Sequence, residues 1–213
     1  MLTTGLPGLS KVLCLGAHCD DIEIGCGGTV LRLLQEHPGL EVAWVVFASN
    51  PARALEAEKA AGLFLAGAGR KQVVIKAFRD GFLPYTGAQV KDEFEAIKAL
   101  VRPDLILTHY RHDLHQDHRL VSELTWNTWR DHLIWEYEIP KYDGDMGIPN
   151  GFVALEEPLL RRKVELIRDC YPTQWGKNWF DEETFFSLAR LRGMECQSPS
   201  RYAEAFHCRK IRL

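Results

Sequence analysis

Val12-Leu13-Cys14-Leu15-Gly16-Ala17-His18-Cys19-Asp20-Asp21-Ile22-Glu23-Ile24-Gly25-Cys26-Gly27-Gly28-Thr29 is the stretch on which the reading of this chain turns. Residues 12–17 are a short apolar run, the pattern of a buried strand. The glycines at 25–28 predict a turn, and residues 29–36 a helix that Pro38-Gly39 ends. Between strand and turn stand a histidine and two adjacent carboxylates. Like charges side by side repel, and folding alone gains little from them. Imidazole nitrogen and carboxylate oxygen are zinc-type ligands, so a divalent cation removes the difficulty. The stretch therefore suggests half of a metal site, with one carboxylate left over for chemistry.

Outward from it, apolar runs alternate with helical patterns. Residues 42–48 read as a buried strand, followed by an alanine-rich helix over about 52–66 that Gly67 and Gly69 end. Residues 73–78 make a third strand. Val90, Phe94, Ile97 and Val101 form one helical face, stopped at Pro103. Residues 105–109 are a fourth strand and 118–130 a helix. This alternation predicts an α/β fold, Rossmann-like, with a mostly parallel sheet and helices on both faces. After residue 134 the rhythm loosens: a strand over 133–139, a loop over 140–150, a strand over 152–155, helices over 158–170 and from Asp181 to about 191, and a last strand over 202–211. No repeat or linker divides the chain, so residues 1–213 read as one domain, the part from about 133 covering the rim of the sheet.

Open parallel sheets bind ligands beyond the carboxyl ends of their strands. His18 follows the first strand, Asn50 and Arg53 the second, Asp80 the third and a histidine group the fourth. Four connections thus converge on one rim.

The bulk composition narrows the classes. The chain has 213 residues, 46% of them apolar and 26% charged, with a net charge of −3. That affords a sizeable core and no basic stripe for nucleic acid. No run of eighteen apolar residues exists, and residues 1–10 lack the pattern of a signal peptide, so neither membrane insertion nor export is expected. The six cysteines form no C-x-x-C pair. Cys14 and Cys208 fall in apolar strand patterns, the thiol usage of a reducing, cytoplasmic compartment. Cys19 and Cys26 read as small buried side chains.

The fourth strand runs into His109-Tyr110-Arg111-His112-Asp113-Leu114-His115-Gln116-Asp117-His118. Four histidines at a spacing of three cannot all bind one ion. His118 opens a helix and His115 can share its face, whereas His109 and His112 read as structural or as partners that orient ligands. His18, Asp21 and His118 would make a three-ligand set with an open position for water. Asp20 would then be the general base and His115, if protonated, the group that stabilises an oxyanion. Zinc suits this set, and iron(II) fits two histidines and one carboxylate as well.

Ala17-His18-Cys19-Asp20-Asp21-Ile22-Glu23-Ile24-Gly25-Cys26-Gly27-Gly28-Thr29, with His115-Gln116-Asp117-His118, resembles the A-H-P-D-D-x-E-x-G-x-G-G-T and H-P-D-H motifs of the LmbE/PIG-L-like metal-dependent N-deacetylases. The resemblance implies a Rossmann-like sheet and zinc-dependent hydrolysis of an acetamido group on an amino sugar, nucleotide sugar or sugar conjugate. By position it makes His18, Asp21 and His118 the metal ligands, Asp20 the base and His115 the charge stabiliser, with Asp117 orienting His115. Cys19 and Gln116 replace prolines, and Asp113 stands where some members carry a tyrosine. Arg53 and Glu56 resemble the family's R-x-x-E. Arg53 there reaches a substrate hydroxyl or phosphate, although a solvated arginine on a helix face fits equally.

In the last third, Trp175, Trp179, Tyr142 and Arg192 are types that stack on or clamp sugar rings. For the aromatics, core packing or an oligomer contact is the stronger reading, which leaves a homo-oligomer open. Arg192, beside Gly193 and Glu195 in a polar stretch, is a candidate pocket residue. A dinucleotide-binding module is the competing reading of the glycines, but negative charge lies where its phosphates would sit and the second strand ends in Ala48-Ser49-Asn50. A catalytically inactive binding subunit is another, opposed by the presence of all five site residues. A two-metal phosphoesterase would need more carboxylates than these motifs offer.

Overall fold

The computed structural model describes residues 5–212. Its elements, in chain order, are β1 (Lys11–Gly16), α1 (Asp21–Glu36), β2 (Glu41–Ala48), α2 (Pro51–Phe64), β3 (Arg70–Phe78), α3 (Gly87–Leu100), β4 (Leu105–His109), α4 (Gln116–Thr128), β5 (Leu133–Tyr137), β6 (Gly151–Ala154), α5 (Glu157–Cys170), α6 (Glu182–Glu195) and β7 (Ala203–Cys208). Short 3-10 turns at Leu83–Thr86 and Pro172–Gln174 complete it. One seven-stranded sheet runs β3-β2-β1-β4-β5-β7-β6. Strands β1 to β5 pair in parallel, and β7 joins β5 and β6 antiparallel. The α/β, mostly parallel architecture is therefore as expected. Residues 1–4 and 213 of the anticipated single domain lie outside the described residues, as does the start of the segment read for a signal peptide.

Successive strand residues face opposite sides, and here both sides are buried. Val12, Cys14, Trp44 and Leu107 pack on one face with residues of α1, α2, α5 and α6. Leu13, Leu15, Val45, Phe47 and Ile106 pack on the other with Val90, Phe94 and Ile97 of α3 and Val121 of α4. The apolar runs without polar alternation follow from this double burial.

The structure corrects the sequence reading at one important place. Helix α1 begins at Asp21, not Thr29, so Gly25, Gly27 and Gly28 lie inside a helix rather than in a turn. Packing explains why glycine is tolerated there. A Cβ on Gly25 would lie 2.1 Å from the Tyr137 ring, and one on Gly28 would lie 2.5 Å from Leu155 and 2.9 Å from Glu204. Glu204 accepts hydrogen bonds from the Gly28 and Thr29 amides at 2.8 and 2.6 Å. Lys163 donates to the Ile24 carbonyl at 2.7 Å and to Glu204 at 2.6 Å. A buried ion pair is thus inserted beside the ladder of α1 and ties it to α5 and β7. With its glycines inside the helix and Asp21 and Glu23 in the first turn, α1 does not have the phosphate loop of a dinucleotide fold.

Candidate metal centre

The carboxyl ends of β1 to β4 form the floor of a cavity of about 650 Å³. His18, Asp20, Asp21, His115 and His118 all line it. They come from two places: the turn from β1 into α1, and the entry into α4.

Three donors form a small triangle. His18 Nδ1 lies 3.1 Å from His118 Nε2. Asp21 Oδ2 is 3.4 Å from His18 Nδ1, and Asp21 Oδ1 is 3.5 Å from His118 Nε2. A tetrahedral ion with bonds of about 2.0–2.1 Å separates its ligands by roughly 3.3–3.4 Å, so the edges fit. The remote nitrogens decide the tautomers. His118 Nδ1 lies 2.9 Å from Asp113 Oδ2. His18 Nε2 lies 3.1 Å from both Asp117 Oδ2 and Asp80 Oδ1. Carboxylates hold protons on those nitrogens, so the two facing nitrogens can offer lone pairs to a metal. Such lone pairs and a carboxylate repel unless a cation sits among them: a second proton on His18, in line with its raised pKa, or a divalent metal in its place. The donor set fits a divalent metal. Among the described residues, other metal-capable groups overlap it: His18, His115, His118; Asp21, His109, His118; and His18, Asp80, Asp117.

The protonation tendencies follow the same crowding. Burial alone would lower the His18 pKa, but Asp21, Asp117 and Asp80 outweigh it and raise the pKa well above the usual value. Burial and the nearby His109 push His118 down to about 4. Asp21 is buried, yet His118, His109 and His18 hold it well below the carboxylate range.

Asp20 differs from its neighbour. It caps α1 with φ of 127°, a conformation that costs a non-glycine residue about 1–3 kcal/mol. Burial pushes its carboxyl up to about 8, against the pull of Arg53. Arg53 Nη2 lies 2.9 Å from Asp20 Oδ2, near enough for charge attraction although not aligned as a hydrogen bond. The same guanidinium donates to the Cys19 carbonyl, to Glu56 at 3.0 Å and to Thr173 at 3.3 Å. Arg53 lines the cavity, but protein groups occupy its donors.

His115 turns its ring toward His18 and His118, with centroids 4.8 and 4.6 Å away. Its Nδ1 accepts from the Asp117 amide at 3.2 Å, so the ring proton sits on Nε2. Burial and the His18 charge lower its pKa. A neutral imidazole with a free Nε2–H still donates a hydrogen bond, so protonation is not required. Asp117 meets His115 through its backbone amide. Its carboxylate accepts from the Gly81 and Leu83 amides at 2.8 and 3.2 Å and faces His18. The ring it orients is His18, because its side chain points back toward β1.

Other residues fall in different places. Arg192 does not reach this cavity. It is buried, hydrogen-bonded to Glu138 and to Glu195 at 2.8 Å, and borders a separate narrow space behind α6. Glu138, distant in sequence, captures it. Tyr142 and Trp179 line the cavity, whereas Trp175 does not. The Cys19 thiol faces the Ala48 carbonyl at 3.6 Å, and burial raises it to about 12. The His109 ring stacks on His118 at 3.9 Å and its Nε2 accepts from the Ala17 amide at 2.9 Å. His112 is exposed, edge-on to Tyr110.

Two contributors escape the sequence reading, Asp113 and Lys141; Asp80 is placed by sequence on the rim, and the structure adds its contact with His18. Lys141 lies 2.9 Å from Asp113 and 2.6 Å from Asp145. Asp113 carries a usable signal, being acidic and five residues before His118, a candidate ligand. Lys141 carries none, because only the folded loop after β5 brings it over.

Comparison with known proteins matches residues 13–129 to the PIG-L family, GlcNAc-PI de-N-acetylase. Diacetylchitobiose deacetylase of Thermococcus kodakarensis is 30% identical over 128 residues, 52% of this chain and 46% of that protein. The chain thus spans about half the length of that curated relative. Among solved structures, N,N'-diacetylchitobiose deacetylase from Pyrococcus horikoshii superposes with a TM-score of 0.75 at 23% identity, covering 95% of this chain and 84% of its own. The 4-carboxy-2-hydroxymuconate hydratase of Pseudomonas putida KT2440 superposes with a TM-score of 0.70 at 17% identity, covering 96% and 98%. At these identities the structural likeness establishes the fold, which serves more than one chemistry.

Proposed function

Because the chain belongs to the GlcNAc-PI de-N-acetylase (PIG-L) family, we propose that it is a metal-dependent hydrolase that removes an N-acetyl group from an amino sugar, nucleotide sugar or glycoconjugate. The observation that carries this reading is the triangle of His18 Nδ1, His118 Nε2 and Asp21, with Asp20 beside it on the floor of one cavity. When bound, a zinc or iron(II) ion supplies Lewis acidity, bringing hydroxide formation from water near neutral pH and polarising an acyl carbonyl. His18, Asp21 and His118 would hold the ion, while Asp113, Asp117 and Asp80 fix the rings. Asp20 takes the proton of the attacking water and returns it to the departing amine. Its buried carboxyl, raised to about 8, is a stronger base than an ordinary carboxylate. Arg53 keeps that carboxylate in place. His115 donates Nε2–H to the developing oxyanion. The products are acetate and the free amino sugar.

Residues from about 133 onward serve as the cover: Ile139, Lys141, Tyr142 and Trp179 supply a wall of the cavity. The six unpaired cysteines fit a cytoplasmic setting. No helix among the described residues is long and apolar enough to cross a membrane. The deciding experiment combines metal analysis of the purified protein with acetate release from a panel of acetylated sugars. Asp20→Asn is expected to keep the metal and lose about 10²–10⁴-fold in kcat. Absence of a divalent metal, or full activity of Asp20→Asn, would sink the mechanism.

A further inference from the structure

A second concavity, of about 300 Å³, is bordered by Arg111, Trp126, Arg130 and Lys210. It shares no lining residue with the catalytic cavity. Three cations crowd the Trp126 indole: Arg209 Cζ lies 4.3 Å from the ring centroid, Lys210 Nζ 5.4 Å and Arg111 Cζ 5.6 Å. Against these and Arg130 stand two carboxylates. Glu136 is fully engaged, accepting from the Arg111 amide at 2.9 Å, from Trp126 Nε1 at 2.5 Å and from Arg209. Glu123 borders the exposed side. Four cations face two anions, so the hollow carries excess positive charge.

Cation–π contacts explain part of this, since each is worth about 0.5–1 kcal/mol at exposed sites. They do not explain Arg111. Its Nε is buried without an acceptor among the described residues, and an unsatisfied buried donor costs about 1–3 kcal/mol. Burial and the positive charge of Arg209 both disfavour the charged form of Arg111. An oxyanion in the hollow would relieve the repulsion among Arg111, Arg209, Arg130 and Lys210. Guanidinium forks match phosphate oxygens in pairs, and several cations from separate segments suit a ligand with several charged oxygens.

We propose that this hollow binds the diphosphate group of a small phosphorylated molecule, held by Arg111, Arg130 and Lys210 against Trp126. The assignment rests on no assumption about the chemistry of the catalytic cavity. Titration calorimetry of the metal-replete protein with inorganic pyrophosphate and with a nucleoside diphosphate tests it, at about 0.15 M salt where exposed charges are screened. Saturable binding to the wild type is expected, weakened at least about tenfold in Arg130→Gln/Lys210→Gln and again in Arg111→Gln. The first two positions are exposed, so that variant is expected to keep its fold, checked by its unfolding midpoint. Absence of saturable binding would overturn the proposal. So would equal affinity in the variants, which would put the anion elsewhere, the catalytic metal included. Binding to phosphatidylcholine vesicles containing an anionic phospholipid, with none to soluble diphosphates, would assign the hollow to a lipid surface and also overturn it.

Discussion

At the scale of single residues, Asp113 has the widest reach. Its carboxylate meets His118 Nδ1 at 2.9 Å and Lys141 at 2.9 Å, and accepts from the His115 amide at 2.8 Å. One side chain therefore sets the tautomer of His118, a proposed metal ligand, and the start of helix α4. Burial works against its charge, but His118, His109 and Lys141 outweigh burial and hold its pKa well below the ordinary value. Asp113→Asn is expected to fold and to lose about 10–100-fold in metal affinity, the usual penalty for losing such an outer partner. Competition with a chelating dye measures this, and an unchanged dissociation constant would remove Asp113 from the metal centre. That His18, Asp20, Asp21, His115 and His118 share one cavity is legible in sequence because both motifs are local and follow strand ends. The Asp113–Lys141 contact is not, because nothing local records a partner 28 residues away.

At the scale of elements, helix α1 sets packing against propensity. Alanine is the better helix former by about 0.8–1.0 kcal/mol, yet the Cβ of Gly25→Ala would enter the Tyr137 ring. Tyr137 is fixed by its own hydroxyl, which donates to the Leu15 carbonyl at 2.7 Å. Gly25→Ala is therefore expected to destabilise the fold by about 1–3 kcal/mol, read from urea unfolding. A stabilised variant would mean that Tyr137 moves aside freely. This is also why a helix was misread as a turn: glycine predicts a turn where local preference rules, and here neighbouring elements rule.

Strand β1 offers an electrostatic test. Asp104 Oδ2 accepts from the Ser10 hydroxyl at 2.7 Å and from the Ser10 and Lys11 amides at 2.9 Å, fastening β1 beside β4. Burial opposes the charge, but the Ser10 and Lys11 hydrogen bonds prevail and lower the pKa. A carboxylate lowered on folding contributes stability above its unfolded pKa of about 3.9, and the contribution disappears as pH falls through the folded value. Asp104→Asn should cost up to about 1 kcal/mol near neutral pH, since the site is exposed and screened. The difference from wild type should close in acid. A pH-independent difference would assign the effect to shape, not charge.

At the scale of the molecule, sheet order brings the ends of β1 to β4 to one rim, and the chain after β5 returns to wall it. Arg192 belongs to that return. Its pairing with Glu138 joins α6 to the segment leading into Ile139 and Lys141, both at the cavity wall. Arg192→Gln leaves Glu138 buried without its partner and is expected to cost about 3–5 kcal/mol, with KM little changed. A raised KM at unchanged stability would return Arg192 to the substrate. Arg192 looked like a pocket residue because its sequence neighbours, Gly193 and Glu195, are polar or small, while the carboxylate that holds it lies 54 residues away. By itself the sequence determined the alternation of strands and helices, the double burial of the sheet and the residue types at two strand ends, since periodicity and short-range spacing record them. Only tertiary structure decided which imidazole nitrogens face each other, which carboxylate holds each ring, and that α1 starts at Asp21. Those depend on contacts between segments far apart in the chain, where no local pattern reaches.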